Sequence, residues 1–256
     1  MSNHFSRSEE FSNRGVLITG GGSGIGASLV EAFVRMGARV AFIDIDARTS
    51  EALVEKLSSE DGIAPRFFRA DLRNQTELAE AVKAAGEALG GIKALINNAA
   101  WDDRHDIDTV TSDYWDANQA VNLKQVFFVT QAALPYLRKE QGGSIINFSS
   151  ISYLLNMGDL PAYTAAKAGI IGLTKSLAGR LGPENIRVNA ILPGMIVTER
   201  QKDLWLTDES ITHTVNSQCL KRTLTGQDLV GPCLFLASDA SSAMTAQTMI
   251  IDGGLL

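Results

Sequence analysis

Short apolar runs alternate with segments of helical periodicity along most of the chain. The run at 39–43 is almost wholly apolar after its first residue, as in a strand that is covered on both faces. The runs predict strands, in chain order, at 16–18, 39–43, 67–68, 94–96, 144–148, 186–192 and 248–251.

The segments between these runs carry apolar residues at helical spacing. An apolar stripe extends from Ile25 to Met36, and Gly37 is suited to end that helix. Asn74 and Glu77 form a capping-box pattern at the start of another. Helices are expected at 25–36, 74–89, 113–139, 162–181 and 227–237.

This alternation predicts one α/β domain of the Rossmann type. Its core would be a doubly wound, parallel, seven-stranded sheet with helices on both faces. A length of 256 residues suits a single domain. We expect a polar tail at 1–13, the domain at 14–256, and a mobile lid over the site near 195–225. The alternative for 195–225 is a surface excursion with one short helix.

Composition narrows the function classes. Hydrophobic residues make up 45% and charged residues 20% of the chain, as in ordinary globular proteins. A net charge of −6 argues against a nucleic acid or an anionic membrane as partner. Three scattered histidines and two cysteines give no metal-binding spacing, so no metal is expected. No signal-peptide pattern or membrane-length apolar stretch is present, which predicts a cytoplasmic protein.

A glycine-rich loop follows the first strand and opens the first helix. Glycines let backbone N–H groups approach a pyrophosphate at a helix N-terminus, and strand, loop and helix in this order support a dinucleotide site. The loop residues expected to contact the cofactor are Gly20, Gly22, Ser23, Gly24, Ile25 and Gly26.

Asp44 follows the second strand, where a carboxylate can accept hydrogen bonds from an adenosine ribose. The same charge would repel a 2′-phosphate, and positions 21–23 and 45 hold no Arg or Lys to neutralise one. This pattern favours NAD over NADP. The alternative is that Asp44 and Asp46 are only a polar strand end.

Tyr163 and Lys167 stand four residues apart, and Ser150 lies thirteen residues before the tyrosine. A lysine one helical turn away places its ammonium on the same face and favours the phenolate. Such a tyrosine can remove a hydroxyl proton while hydride leaves the same carbon. The alternative is an ordinary surface pair of a tyrosine and a lysine.

These motifs, in this order, resemble the short-chain dehydrogenase/reductase family. The family's glycine loop matches 19–26, and its Asn-Asn-Ala-Gly motif matches 97–100, where Ala100 replaces the usual glycine. The resemblance implies a general base at Tyr163 and a reacting-oxygen contact at Ser150. The four catalytic positions that it implies are Asn122, Ser150, Tyr163 and Lys167.

The resemblance also assigns roles to residues spread over the strand ends. It implies that Lys167 tunes the tyrosine and holds the nicotinamide ribose, and that Asn122 supports proton escape. Further cofactor contacts that it implies are Asp71, Leu72, Asn98, Ala99, Tyr163, Lys167, Pro193, Gly194, Ile196 and Thr198.

The substrate follows from a narrower resemblance, to bacterial aldose 1-dehydrogenases. Polar residues near the pocket suit a polyol, whose buried hydroxyls each need a partner. The candidate substrate residues are Trp101, Asp102, His105, Ser150, Ser152, Tyr163 and Glu199. For 102–105, the alternative is a solvated charged turn braced by salt bridges.

The sequence therefore predicts an NAD-dependent oxidoreductase that oxidises the C1 hydroxyl of an aldose to an aldonolactone. Galactose, xylose, arabinose, fucose and rhamnose are the expected type of substrate. The alternatives are an NAD(P)-dependent enzyme for another small alcohol or a 3-oxoacyl thioester, and a nucleotide-sensing protein without catalysis. Small residues in the helix at 162–181, together with the habit of the family, suggest a homotetramer.

Overall fold

A computed structural model describes residues 10–59 and 64–256 of the protein. Within these ranges, seven parallel strands form one sheet in the order β3-β2-β1-β4-β5-β6-β7. This confirms the predicted doubly wound sheet. The strands are β1 Gly15–Thr19, β2 Arg39–Asp44, β3 Arg66–Arg69, β4 Ala94–Asn97, β5 Gly143–Phe148, β6 Ile186–Pro193 and β7 Thr248–Ile251.

Helices connect the strands and cover both faces of the sheet. The sequence pattern did not predict α2. The segment 195–225 contains two helices, whereas the alternative to a lid, a surface excursion, expected one short helix. The α-helices are α1 Gly24–Arg35, α2 Ala47–Ser58, α3 Gln75–Leu89, α4 Ser112–Gln119, α5 Gln125–Lys139, α6 Pro161–Leu181, α7 Glu199–Leu204, α8 Asp208–Ser217 and α9 Gly226–Ala237.

The core lies in two layers because successive strand residues point to opposite faces of the sheet. On one face, Val16 and Ile18 pack with apolar residues of α1, α2 and α9. On the other face, Leu17 packs with residues of α3, α5 and α6. Helices therefore exclude water from both faces of the sheet, which explains the continuous apolar runs of its strands.

The predicted single helix at 113–139 is interrupted. A π-helical turn, Ala120–Lys124, separates α4 from α5. A π turn takes one more residue per turn than an α-helix and is frequent at functional sites. Asn122 lies within this turn and is fully buried.

The predicted capping pair at Asn74 forms only in part. The Asn74 side chain accepts from the N–H groups of Thr76 and Glu77. The Glu77 carboxylate, however, accepts from the N–H of Asp71 at 2.9 Å, and the Asn74 N–H is taken by the Asp71 carbonyl. Glu77 thus holds the backbone of the segment that precedes the helix.

The polar tail predicted at 1–13 extends too far, because its last residues pack against the domain. Phe11 is 3% exposed and packs edge-on against Phe33 of α1, with ring centroids 5.4 Å apart. Residues 10–13 therefore belong to the domain, whereas residues 1–9 lie outside the described part of the chain. Within the described ranges, no helix is long and apolar enough to cross a bilayer.

Replacement of Phe11 by Ala should lower the free energy of unfolding by about 3 kcal/mol, because it removes a buried ring from the core. Urea denaturation followed by circular dichroism would measure this change. The matched control is Ile107→Ala, since Ile107 is 77% exposed and should change stability by less than about 0.5 kcal/mol. Equal, small effects would show that Phe11 does not contribute to the core.

Candidate active site

A cavity of about 870 Å³ opens beyond the carboxyl ends of the strands. The strand order reverses between β1 and β4, and ligands of doubly wound sheets bind at such a point. Asp44 and Asp71 line the cavity beside β2 and β3, and Trp101 and Tyr163 line it on the other side of β1. The cavity is therefore long enough to bring both predicted parts of the site together.

The loop after β1 is shaped by close backbone contacts. Gly20 has a φ of +66°, and a Cβ there would lie 2.7 Å from the Cα of Ala99. A Cβ on Gly26 would lie 1.8 Å from the Gly20 carbonyl oxygen. Side chains at these positions would displace the loop, so bare backbone faces the cavity.

Asn98 holds this loop from the end of β4. Its side chain donates to the carbonyls of Thr19 and Gly20, at 3.2 and 2.9 Å. The Thr19 hydroxyl in turn accepts from the N–H groups of Asn98 and Ala99. The predicted cofactor contact at Asn98 thus lies on the cavity wall, but its amide group is used to fix the loop.

The start of α1 fits an anionic ligand. Its N-cap residue, Ser23, makes no side-chain capping bond, and the first turn contains no acidic residue. The backbone N–H groups of this turn therefore keep their capacity for a phosphate. A dinucleotide pyrophosphate is suited to this position.

Asp44 fits a ribose beside it. One carboxylate oxygen accepts from the Gly22 N–H at 2.8 Å, and the other accepts from the Asp46 N–H at 3.0 Å. A carboxylate has about four acceptor sites, so two remain for the hydroxyls of a ribose.

Asp71, at the end of the cavity beside β3, is fixed by its neighbours. The Arg73 guanidinium donates three hydrogen bonds to the Asp71 carboxylate, the shortest at 2.7 Å, and this contact lowers the pKa of Asp71. The backbone of Asp71 is held by Glu77. Arg73 also lines the cavity, although no motif in the sequence singled it out.

Tyr163, Lys167 and Ser150 converge in the structure. The Ser150 hydroxyl lies near the Tyr163 phenol and lowers its pKa, against the effect of burial. The Lys167 ammonium lies 5.4 Å from the centre of the tyrosine ring and donates to the Phe148 carbonyl at 2.9 Å. An ammonium has three donors, so this buried group retains capacity for a ribose and the phenol.

Burial opposes ionisation of both groups. It raises the pKa of Tyr163, and the charge of Asp102 raises it further. It lowers the pKa of Lys167 to about 8, against the pull of Asp102. The phenol is therefore protonated at neutral pH in the protein alone.

Asn122 is held against the segment after β4. Its side chain accepts from the Trp101 N–H and donates to the Trp101 carbonyl, both at 2.8 Å. It also donates to Asn118, one turn earlier. The π turn places the Asn122 amide within reach of this backbone, so Asn122 fixes the cavity wall at Trp101.

Asp102 connects this wall to the segment 195–225. Its carboxylate accepts from Arg200 at 3.3 Å and from Gln201 at 3.2 Å. The neighbouring Arg104 pairs with Asp159 at 3.0 Å and lies over the ring of Trp205. The alternative of a turn braced by salt bridges at 102–105 thus describes the ion pairs of Asp102 and Arg104. Asp102 nevertheless lines the cavity.

Three predicted substrate residues are placed differently. Both ring nitrogens of His105 are within hydrogen-bond distance of protein groups, at Ala162, Asp103 and Tyr114. The Glu199 carboxylate is 87% exposed and pairs with Lys202. The Ser152 hydroxyl is buried without a hydrogen-bond partner among the described residues. His105 is therefore a structural residue, whereas Glu199 lines the cavity with its carboxylate largely exposed to solvent.

The predicted cofactor residues divide into two groups. The Ile196 side chain is 3% exposed and packs in the core, and Gly194 packs so closely on Asp252 that a Cβ would lie 2.7 Å from its Cα. The predicted residues on the cavity wall are Gly20, Ser23, Gly24, Ile25, Asp44, Asp71, Leu72, Asn98, Ala99, Tyr163 and Thr198. Those behind the wall are Gly22, Gly26, Lys167, Pro193, Gly194 and Ile196.

Comparisons with known proteins agree with this geometry. The family model described as Enoyl-(Acyl carrier protein) reductase matches residues 20–256. A protein of Rhizobium meliloti (strain 1021) named as a probable galactose dehydrogenase, GalD, is 63% identical over 243 residues, which are 95% of each chain. D-xylose 1-dehydrogenase of Caulobacter vibrioides is 45% identical over 239 residues, which are 93% of this chain and 94% of the relative.

A solved structure supports the same assignment. It is described as a short-chain alcohol dehydrogenase from Sinorhizobium meliloti 1021, and it matches with a TM-score of 0.88 at 31% identity, over 96% of this chain and 97% of the other. The chain belongs to the short-chain dehydrogenase/reductase family. It is an oxidoreductase that acts on a CH–OH group, and its family implies a nicotinamide cofactor.

Replacement of Asp102 by Asn should move the rise of kcat with pH, for alcohol oxidation, to lower pH. The carboxylate raises the pKa of both Tyr163 and Lys167, so its loss lets the pair release a proton more easily. A pH profile of kcat at saturating alcohol would measure the shift.

The matched control for this profile is Asp103→Asn. The charge of Asp103 acts on Tyr114, whose pKa is raised chiefly by burial, and is not among the influences on Tyr163. A profile that moves equally in both variants, or to higher pH in the Asp102 variant, would contradict the electrostatic role of Asp102.

Proposed function

We propose that the protein is an NAD-dependent sugar dehydrogenase that oxidises the C1 hydroxyl of an aldose to an aldonolactone. The observation that carries the proposal is that Tyr163 lines the same cavity as Asp44, with the Lys167 ammonium 5.4 Å from its ring and Ser150 near its phenol. The substrate class rests on the relatives that are named as galactose and xylose dehydrogenases.

Tyr163 is the proposed general base. As the C1 hydroxyl is oxidised, its proton passes to the ionised phenolate form of Tyr163, the C1 hydrogen leaves as hydride, and the carbon–oxygen double bond of the lactone forms. The nicotinamide cofactor supplies the hydride acceptor. Ser150, which lies near the phenol and lowers its pKa, holds the reacting oxygen beside it.

Tyr163 needs positive charge nearby to act as a base, because burial keeps the phenol protonated. The Lys167 ammonium, with a pKa of about 8, is mostly charged at neutral pH and favours the phenolate. A bound oxidised nicotinamide would add a second positive charge at the site. Proton transfer is therefore expected to depend on both cations.

Asn122 completes the proposed catalytic set, but its contacts in the structure are structural. Its side chain is occupied by the Trp101 backbone and Asn118. We assign to it the support of proton escape, which is the role that the family resemblance implies for this position. That role rests on the resemblance alone.

The sugar hydroxyls distant from C1 need fixed partners. Asp102 and Trp101 on the cavity wall are the proposed partners, and the buried Ser152 hydroxyl is a further one. The segment 195–225 is the proposed lid, because Arg200 and Gln201 join it to Asp102 at the cavity. Closure of this lid would exclude water from the reacting sugar.

The proposed assembly is a homotetramer. Ala165, Ala168 and Gly172 of α6 lie on its solvent face, where small residues let a second helix come close, whereas Ala166 is buried in the subunit. Phe127 of α5 is also 40% exposed. Static light scattering that reports a monomer at working concentration would refute the assembly.

A second candidate is the reduction of a 3-oxoacyl thioester or the oxidation of another small alcohol. The matching family model is described by an acyl-carrier-protein activity, which favours this alternative. A nucleotide-sensing protein without catalysis is disfavoured because the base, the lysine and the serine are all present, with the lysine beside the base. The three candidates differ in which added compound leads to NADH formation.

Galactose, xylose, arabinose, fucose and rhamnose should differ widely in kcat/KM when tested with NAD, with one or two epimers dominating. A site built from hydrogen bonds discriminates strongly against analogues that lack one partner. NADH absorbance measures the rates, and the product should be a lactone that opens to an aldonic acid. Oxidation of a simple alcohol or a 3-hydroxyacyl thioester but of none of these sugars would exclude the sugar proposal.

NAD should exceed NADP in kcat/KM by about 100-fold, because the Asp44 carboxylate and a 2′-phosphate carry like charge. Asp44→Asn keeps the shape of the side chain and removes the charge, so the ratio should fall. Comparable efficiency with both cofactors in the wild-type protein would contradict the assignment.

Tyr163→Phe should abolish turnover while NADH binding, measured by fluorescence titration, persists, because the phenol serves proton transfer. Lys167→Ala should weaken both turnover and binding. Substantial turnover by the Tyr163→Phe protein at saturating substrate would exclude Tyr163 as the base.

A further inference from the structure

The helix that carries Tyr163 begins without a side-chain cap of its own. Leu160 at the N-cap offers no side-chain acceptor, and Pro161 at the first helical position has no N–H. The next N–H belongs to Ala162, which is fully buried. A buried N–H without an acceptor would be costly, so this group needs a partner from elsewhere.

His105 supplies that partner. Its Nε2 accepts from the Ala162 N–H at 3.0 Å. Because Nε2 accepts, the ring proton is on Nδ1, which lies 3.0 Å from the Asp103 carbonyl oxygen and 2.9 Å from the Tyr114 hydroxyl. Both ring edges are thus held, and the imidazole has little freedom to turn.

Gln119 holds the other polar group of the same residue. Its amide nitrogen donates to the Ala162 carbonyl at 2.7 Å. The N–H and the C=O of Ala162 are therefore each bound by a side chain from outside α6, one from the segment after β4 and one from the end of α4. Ala162 directly precedes Tyr163 in the chain.

We propose that His105 and Gln119 are positioning residues that set the Tyr163 phenol against Ser150 and Lys167. Neither lines the cavity, and their polar groups are bound to the protein itself. They act on the backbone beside the base, where a displacement of about 1 Å can cost a hundredfold in rate. The inference rests on the proposed function of Tyr163 as the base and does not depend on which alcohol is oxidised.

The test compares His105→Leu, which lacks an acceptor, with His105→Gln, whose amide oxygen can occupy the Nε2 position. With the best alcohol of the panel, His105→Leu should lower kcat by roughly tenfold to a hundredfold, while KM and the Kd for NADH change by less than about threefold. His105→Gln should recover most of the lost kcat. The inference is overturned if the Gln variant is as slow as the Leu variant, or if the Leu variant changes only KM.

Gln119→Met serves as a second variant, so that poor folding of one protein does not end the test. It removes the donor to the Ala162 carbonyl at nearly constant volume and should give the same loss of kcat with unchanged NADH binding. Wild-type kcat in Gln119→Met would overturn the role of Gln119.

Crystal structures of the variants separate this inference from the proposed function. Displacement of the Tyr163 hydroxyl from Ser150 in His105→Leu would support the positioning role whatever the substrate proves to be. An unmoved phenol would overturn it, even if the sugar assignment is correct. Conversely, activity that survives Tyr163→Phe would remove the proposed base and leave the displacement measurable.

Discussion

The hydrogen bond from the Lys167 ammonium to the Phe148 carbonyl joins the central helix α6 to the end of a central strand, and the site is arranged around it. A buried ammonium is costly unless its donors are satisfied. Ser149 strengthens the same junction, since its hydroxyl donates to the Lys167 carbonyl at 2.7 Å. Helix and strand are thereby held in one register, and Tyr163, one turn before the lysine, is placed beside Ser150.

The electrostatics of the site follow from this burial. A dry environment disfavours the charged forms of both Tyr163 and Lys167. Asp102 acts on both groups and is bound in turn by Arg200 and Gln201. The segment 195–225 and the proton affinity of the base are thus linked through one carboxylate. Movement of that segment would change the field at the phenol as well as access to the cavity.

The sequence predicted the sheet because strands that are buried on both faces leave continuous apolar runs. It did not predict α2, whose buried apolar residues are only Leu53 and Leu57, too few to form a clear stripe. His105 was interpreted as a substrate residue because it follows β4. Its partner Ala162 is 57 residues away, and no local pattern shows where a ring nitrogen points. Gln119 could have been selected, since it lies three residues before Asn122 on the same helical stretch.

The π turn at Ala120–Lys124 determines how this part of the molecule can change in length during evolution. Each residue of an α-helix advances the chain by about 100°, so deletion of one residue here would let the helix run regularly but would rotate α4 against α5. Gln119 on one side and Asn122 within the turn could then no longer both reach their partners. Insertions and deletions at this site alter the orientation of whole helices, unlike those in surface loops. We therefore expect the number of residues between Gln119 and Gln125 to be under stronger selection than the identity of most of them.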